Sequence, residues 1–312
     1  VIATGRTVTV RVPATTANLG PGFDTLGLAL ALYDELTVTV RDAPGASVEV
    51  HGVGEGEVPT DETNLVVRSI AHTFAAYGQE MPGLDLVARN VIPHGRGLGS
   101  SGAAIASGVV AAQALLQGVV EIDGLGLLAR ATELEGHPDN VAPALFGGLT
   151  IAWTTPEGPR YKKLNVHRGV SPLVLVPGHT MSTALARSLQ PESVPHADAI
   201  FNVSRSTLLI ASLIQSPELL FEATEDKLHQ SYRASAMPET DALIRALRAA
   251  GYPAVVSGAG PSILVLCSDP AQRKGATELV ERTAATPWQS LVLAVDIKGA
   301  TVVVHPDDVT QP

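Results

Sequence analysis

Two α+β halves meeting near residue 160 are what this sequence predicts, on three observations. Strand-like alternation recurs in RTVTVRV (6–12), LTVTVRD (36–42) and SVEVHGV (47–53), before any helical pattern begins. Helical stretches then come in a block instead of alternating with strands, which disfavours a regular βαβ array. A polar stretch rich in turn formers, TTPEGPRYKKLNVHRG (154–169), precedes a second set of strands and helices.

In chain order, NLVVRSIAHTFAAYG (64–78) has helical periodicity and is stopped by Gly78. LDLVARNVI (84–92) is a strand that leads into a glycine-rich loop and then a small-residue helix to about Gln117. GLGLLARATELEG (124–136) is a further helix, and GHPDNVAPALFGGLTIAW (136–153) ends in a strand. In the second half SPLVLVP (171–177) is a strand and STALARSL (182–189) a short helix. AIFNVSRSTLLIASLIQ (199–215) is an apolar helix, and ELLFEATEDKLHQSYRA (218–234) is expected to be a more polar one. TDALIRALRAAG (240–251) is helical, and PAVVSGAG, SILVLCS and LVLAVDI are strands. The expected domains are 1–160 and 161–312.

Composition narrows the partners. The 312 residues are 45% hydrophobic and 17% charged, enough for a full core. Aromatics are only 4% and the net charge is −10, which argues against nucleic acid. Cys267, inside an apolar run, supplies neither a disulfide framework nor a zinc set, and fits a reducing compartment. The first residues lack a signal-peptide pattern, and the run Ala103–Leu116 is too short and too broken to span a bilayer. A cytoplasmic protein without a membrane partner is expected.

The chemistry gathers in IPHGRGLGSSGAA (92–104). Gly97 to Gly102 satisfies G-x-G-x-x-G, but no full second strand precedes Glu121, so a dinucleotide fingerprint is weakly supported. The absence of Gly-Lys-Ser/Thr excludes a Walker A loop, and Ala103 spoils a nucleophile elbow. Glycines 95, 97 and 99 let backbone N–H groups converge, and Ser100 and Ser101 open a helix whose positive end attracts phosphate. Their hydroxyls suit a magnesium ion.

PHGRGLGSSGAA resembles the second motif of the GHMP small-molecule kinases. VPATTANLGPGFDTLGLAL (12–30) is similar to the first motif as homoserine kinases write it, and VSGAGPSILVL (256–266) to the third. EGHPDNVAPALFGG (135–148) resembles the homoserine kinase form of the stretch beside the active site. Gly102 departs from the alanine or serine usual there, at a cost of roughly 1 kcal/mol in helix propensity. The resemblance implies an N-terminal ATP-binding α+β domain, a C-terminal ferredoxin-like domain and an active site in the cleft between them. It also implies ATP-dependent phosphorylation of the L-homoserine side-chain hydroxyl, a step toward threonine, by a homodimer.

On that resemblance, Pro93, Gly95, Arg96, Gly97, Leu98, Gly99, Ser100 and Ser101 hold the nucleotide phosphates. Ser100 and Glu133 are the expected magnesium ligands, with Glu135 the competing carboxylate. Asn64 matches a position used at the base and equally suits a helix cap. A zwitterionic acceptor needs partners of both signs: Arg187 and Arg233 for its carboxylate, Asp24 for its ammonium. Asn18, His137, Thr183, Gly258 and Gly260 complete the acceptor site. Asp139 is a candidate general base, while Asn140 can orient the hydroxyl as phosphate takes the proton. His94 is read as a turn residue. The competing readings are a GHMP kinase for another small alcohol, a dinucleotide-dependent oxidoreductase and a nucleotide sensor without turnover.

Overall fold

A computed structural model describes residues 2–306; the last six positions of the expected second domain, 307–312, lie outside it. The first half carries β1 (Thr7–Ala17), β2 (Leu26–Arg41), β3 (Ala46–Gly52), α1 (Leu65–Ala76), β4 (Gly83–Asn90), α2 (Ser100–Leu115), α3 (Gly124–Glu135), α4 (Pro138–Phe146), β5 (Leu149–Thr155) and β6 (Gly158–Leu164). The second carries β7 (Ser171–Pro177), α5 (Thr183–Ser188), α6 (His196–Ile214), α7 (Leu220–Ala223), α8 (Gln230–Arg233), α9 (Pro238–Ala249), β8 (Ala254–Val256), β9 (Ile263–Cys267), α10 (Pro270–Thr283) and β10 (Trp288–Val292). β11 (Thr301–Val304) ends the described chain.

One sheet runs β11-β1-β2-β4-β3, with β5 on the long β2 and β6 on β5. Among the described residues of this sheet, only β3 and β4 pair in parallel. The other sheet runs β10-β7-β9-β8, all antiparallel. Fourth-first-third-second, with helices between first and second and between third and fourth, is the ferredoxin-like arrangement. The α+β two-domain fold expected from the sequence is therefore present.

β1 alternates buried residues with half-buried or exposed ones up to Val12 and is buried throughout from Val12 to Ala17, where helices cover it. α2 is buried almost all round, and its small residues permit that. A Cβ on Gly108 would stand 2.7 Å from both the Ser69 Cβ and the Val66 carbonyl of α1, so the two helices pack backbone to backbone. α6, with mean hydropathy 1.3, is long and apolar enough by composition to cross a membrane, yet it bears Asn202 and Ser206, which hydrogen-bond the Pro21 carbonyl.

Four expectations are corrected. The polar stretch 154–169 does not mark a boundary near residue 160: most of it is the β5–β6 hairpin of the first sheet, so that half extends to Leu164. β11 also belongs to the first sheet, so 161–312 is not one contiguous domain. Residues 218–234 do not form one helix. The Asp226 carboxylate captures the backbone N–H groups of Leu228, His229 and Gln230, turning the chain between α7 and α8. The strand expected over 291–297 ends at Val292 as β10, and α10 and β11 were not anticipated.

Candidate active site

The glycine-rich loop leaves β4 and bends back at left-handed Gly95, Gly97 and Gly99, with φ of 63°, 74° and 69°. Two of these admit no side chain. A Cβ on Gly97 would lie 2.1 Å from the Ser257 carbonyl oxygen, and one on Gly99 1.9 Å from Thr15 Oγ1. The loop is pinned from the other domain: Ser257 Oγ donates to the Gly97 carbonyl at 2.7 Å, and the Met181 N–H to the Gly95 carbonyl at 2.9 Å. Gly99 is the N-cap of α2 and provides no side-chain acceptor, so the first N–H groups of this 16-residue helix face the cleft uncapped. With the helix dipole, they form an anion site.

Two cavities meet there, and Ser100 and Ser101 line both. One, of about 240 Å³, has apolar walls from Leu36, Val48, Val50, Val58, Leu65 and Val66, with Asp34, Glu35, Asn64, Asn90 and His94 among its polar groups. Its apolar walls suit the faces of a heterocycle. Asn64 faces it while also capping α1, its Oδ1 accepting from the Val66 N–H at 2.9 Å. The other, of about 180 Å³, lies between the domains. The first domain contributes Asn18, Asp24, Glu135, His137, Asp139 and Asn140, and the second Thr183, Arg187, Arg233, Gly258 and Gly260.

This second cavity is polar and carries both signs of charge. Arg187 forms a bidentate pair with Asp24 across the cleft, at 2.9 and 3.1 Å. Burial works against the Arg187 cation, but the Asp24 hydrogen bonds and charge outweigh it and raise its pKa. Arg233 is 2% exposed and donates to the Gly258 carbonyl at 3.2 Å. Asn18 donates to the same carbonyl at 2.9 Å and accepts from the Asp24 N–H at 3.0 Å. His137 Nδ1 and Asp139 Oδ1 are 2.5 Å apart, with Asp139 almost fully buried. Burial alone would depress the His137 pKa; the Asp139 bond and charge raise it instead. Asn140 accepts from Thr15 Oγ1 at 3.3 Å, which sets its orientation.

The site thus brings together most of the expected residues and rejects four. Glu133 is outside, engaged with His72 and Arg130 at 2.7 Å each. Glu135 lines the cleft instead: it accepts from Ser101 Oγ at 3.0 Å, and burial pushes its carboxyl above the usual range. Pro93, Arg96 and Leu98 belong to the loop but line neither cavity. The Leu98 side chain is fully buried, and Arg96 donates to the Pro177, Gly178 and His94 carbonyls, bracing the loop against β7. His94 is more than a turn residue, since it lines the apolar cavity beside Gly54. Met181, Ser182 and Ala259 also line the cleft and were not anticipated.

Residues 64–148 match the GHMP kinases N terminal domain, and residues 209–283 match GHMP kinases C terminal. A homoserine kinase of Clavibacter michiganensis is 77% identical over 301 residues, covering 96% of this chain and 95% of that protein. One from Streptomyces coelicolor is 49% identical over 296 residues, covering 95% and 94%. The crystal structure of homoserine kinase from Cytophaga hutchinsonii superposes with a TM-score of 0.84 at 28% identity, over 95% of this chain and 97% of that one.

Proposed function

The chain belongs to the homoserine kinases of the GHMP kinase family, and from that premise we propose the role of each residue in moving a phosphoryl group from ATP to the side-chain hydroxyl of L-homoserine. The observation that carries the assignment is the pair Ser100 and Ser101, shared by an apolar pocket fit for a base and a two-signed pocket fit for a zwitterion. Phosphates bridging the two pockets would lie on the N-terminus of α2.

In this reading the adenine lies between the β3 valines and the start of α1, near Asn64. The acceptor carboxylate is held by Arg187 and Arg233 and its ammonium by Asp24, so that the zwitterion exchanges with the Asp24–Arg187 pair. Asn18, Thr183 and the Gly258–Gly260 backbone close around it. The acceptor oxygen bonds to the γ-phosphorus as the bond to the ADP oxygen breaks, and Asp139, steadied by His137, takes the hydroxyl proton. Asn140 orients the hydroxyl.

The residues present also fit magnesium, on the chemistry of the donors. Glu135 and Ser101 offer hard oxygen ligands where the phosphates would lie. Among the described residues there is no group of three or more His, Cys, Asp or Glu able to hold a metal. That matches an ion which takes one or two carboxylates and completes its shell with phosphate and water. It would neutralise charge on the transferring phosphate. We assign Glu135 and Ser101 to it, with Ser100 beside them.

The reading places the enzyme in the cytoplasm as a homodimer, with no nucleic-acid or membrane partner. Exposed Ile200 and Val203 on α6 support self-association. Light scattering that returned a single chain mass would remove the dimer. For the reaction itself, ADP release is measured with Mg-ATP and L-homoserine, beside mevalonate, L-serine, L-threonine and no acceptor. Phosphorus NMR then identifies the product. Selective formation of O-phosphohomoserine is expected, and turnover of another alcohol alone would overturn the acceptor assignments.

A further inference from the structure

The loop that delivers Asp24 to the cleft runs through backbone conformations that non-glycine residues seldom adopt. Asn18, Leu19 and Asp24 have φ of 71°, 51° and 52°, in the left-handed region that non-glycine residues avoid. The loop belongs to the first domain and closes on itself where Asn18 Oδ1 accepts from the Asp24 N–H, and it is anchored from the second domain as well. Asn202 Nδ2 donates to the Pro21 carbonyl at 3.0 Å, and His229 Nε2 lies 2.8 Å from the Gly20 carbonyl. The His229 imidazole is stacked on the Phe23 ring, with centroids 4.7 Å apart and planes 12° from parallel. The Arg233 guanidinium lies over the same ring, 5.1 Å from its centroid.

We propose that His229 and Phe23 are a positioning pair for the phosphoryl acceptor, which aims Asp24 and Arg233 at it together. Neither residue lines the cleft, so both act through the groups that do. Arg233 needs such a guide. It has no ion-pair partner among the described residues, its Nε is buried without a hydrogen bond, and its one polar contact is the Gly258 carbonyl. The face of Phe23 is what remains to set its direction. His229 is suited to hold that ring in place. Its side chain is fully buried, its backbone is gripped by Asp226, and burial keeps the imidazole in the neutral form that donates through Nε2. Its Nδ1 is buried without a partner, so it has no route for a proton to the reacting atoms.

This inference rests on the assignment of the acceptor site above, and its test separates the two. Wild type, Phe23→Leu, Phe23→Tyr and His229→Gln are assayed for KM of homoserine, KM of ATP and kcat, with a thermal melt of each. His229→Gln keeps an N–H donor and removes the aromatic face. The expected result is a rise of about tenfold or more in the homoserine KM for Phe23→Leu and His229→Gln, with the ATP KM within about twofold. Phe23→Tyr, which keeps the ring, should return to near the wild-type value. The double variant should be little worse than either single one, because the pair acts as a unit. Folded variants with an unchanged homoserine KM would overturn the proposal, as would parallel rises in both KM values. If Phe23→Leu does not fold, His229→Gln decides between the same outcomes. A wild-type chain that does not phosphorylate homoserine at all would instead overturn the acceptor assignment.

Discussion

Glu133 and Glu135 lie two residues apart at the end of α3, and two residues on a helix face opposite sides. One must point away from the cleft. Left-handed Gly136, at φ 91°, then reverses the chain so that Glu135 and His137 line the same cavity. The sequence shows both carboxylates but not the phase of the helix, so it could not choose between them. It is equally silent on side-chain direction within a phosphate loop, where backbone N–H groups do the binding; that is why Pro93, Arg96 and Leu98 were included without lining the site. Asn18, Asp24 and Asp139 were expected from the resemblance of their motifs to those of homoserine kinases, and the three glycines from the spacing of the loop itself. Glu135→Gln should therefore lower kcat by ~10²-fold, while Glu133→Gln stays within about twofold, measured at saturating Mg-ATP. Asp139→Asn should lower kcat by ~10²–10⁴-fold if Asp139 accepts the proton; a loss of only a few-fold would show phosphate taking it instead. His229 gives a pH signature. Burial first, against the opposing pull of Asp226, holds its folded pKa below the ordinary 6.5. Its contribution to stability is thus complete above 6.5 and is lost as pH falls toward the folded value. The acid-side fall in Tm should be shallower in His229→Gln than in wild type across that window.

At the level of elements, the loop and α2 contain glycines with opposite requirements. Gly99 combines a φ of 69° with a neighbour 1.9 Å from any Cβ. Gly99→Ala forces a left-handed alanine, costing roughly 1–2 kcal/mol, and displaces Thr15 as well. The expected outcome is a large rise in the ATP KM with a lower Tm. Gly102 lies inside the helix, and a Cβ there would meet Asn140 at an ordinary 3.5 Å. Gly102→Ala should stabilise by roughly 0.5 kcal/mol with the ATP KM unchanged, read by melting and kinetics together. Elements were readable from sequence where burial imposes a period, as in β1, β3 and β4. α10 was missed because PAQRKGATELVERT buries only Ala276 and Val280 and so presents no apolar stripe. β11 was missed because all four of its residues are exposed and only its backbone pairs with β1. Residues 218–234 misled for a different reason: their helical composition is overridden at Asp226, whose carboxylate offers the backbone a competing partner.

Across the whole molecule, the last described stretch ties the two domains together. After β10 at the edge of the second sheet, the chain crosses to the first sheet and ends as β11. On the way, the Ala294 carbonyl accepts from the Ala31 N–H at 2.9 Å, and the Asp296 N–H donates to the Ala29 carbonyl at 3.0 Å. A cut near residue 160 therefore cannot yield two complete domains, which is why a boundary drawn from local polarity fails. Asp296 is the fastening. It is 7% exposed, and its carboxylate accepts from Tyr33 Oη at 2.8 Å and from the Lys298 and Gly299 N–H groups at 3.0 and 2.6 Å. Asp296→Ala leaves those three donors without their acceptor at a cost of ~2–3 kcal/mol. For one cooperative unit of this size that corresponds to a fall in Tm of roughly 3–5 °C. Asp241→Asn, which breaks only the exposed i,i+4 pair with Arg245, should shift Tm by about 1 °C or less. Scanning calorimetry distinguishes the outcomes. A single, lowered transition for Asp296→Ala is expected if the segment fastens both domains into one cooperative unit, whereas an unchanged Tm would assign the fastening to β11 pairing alone.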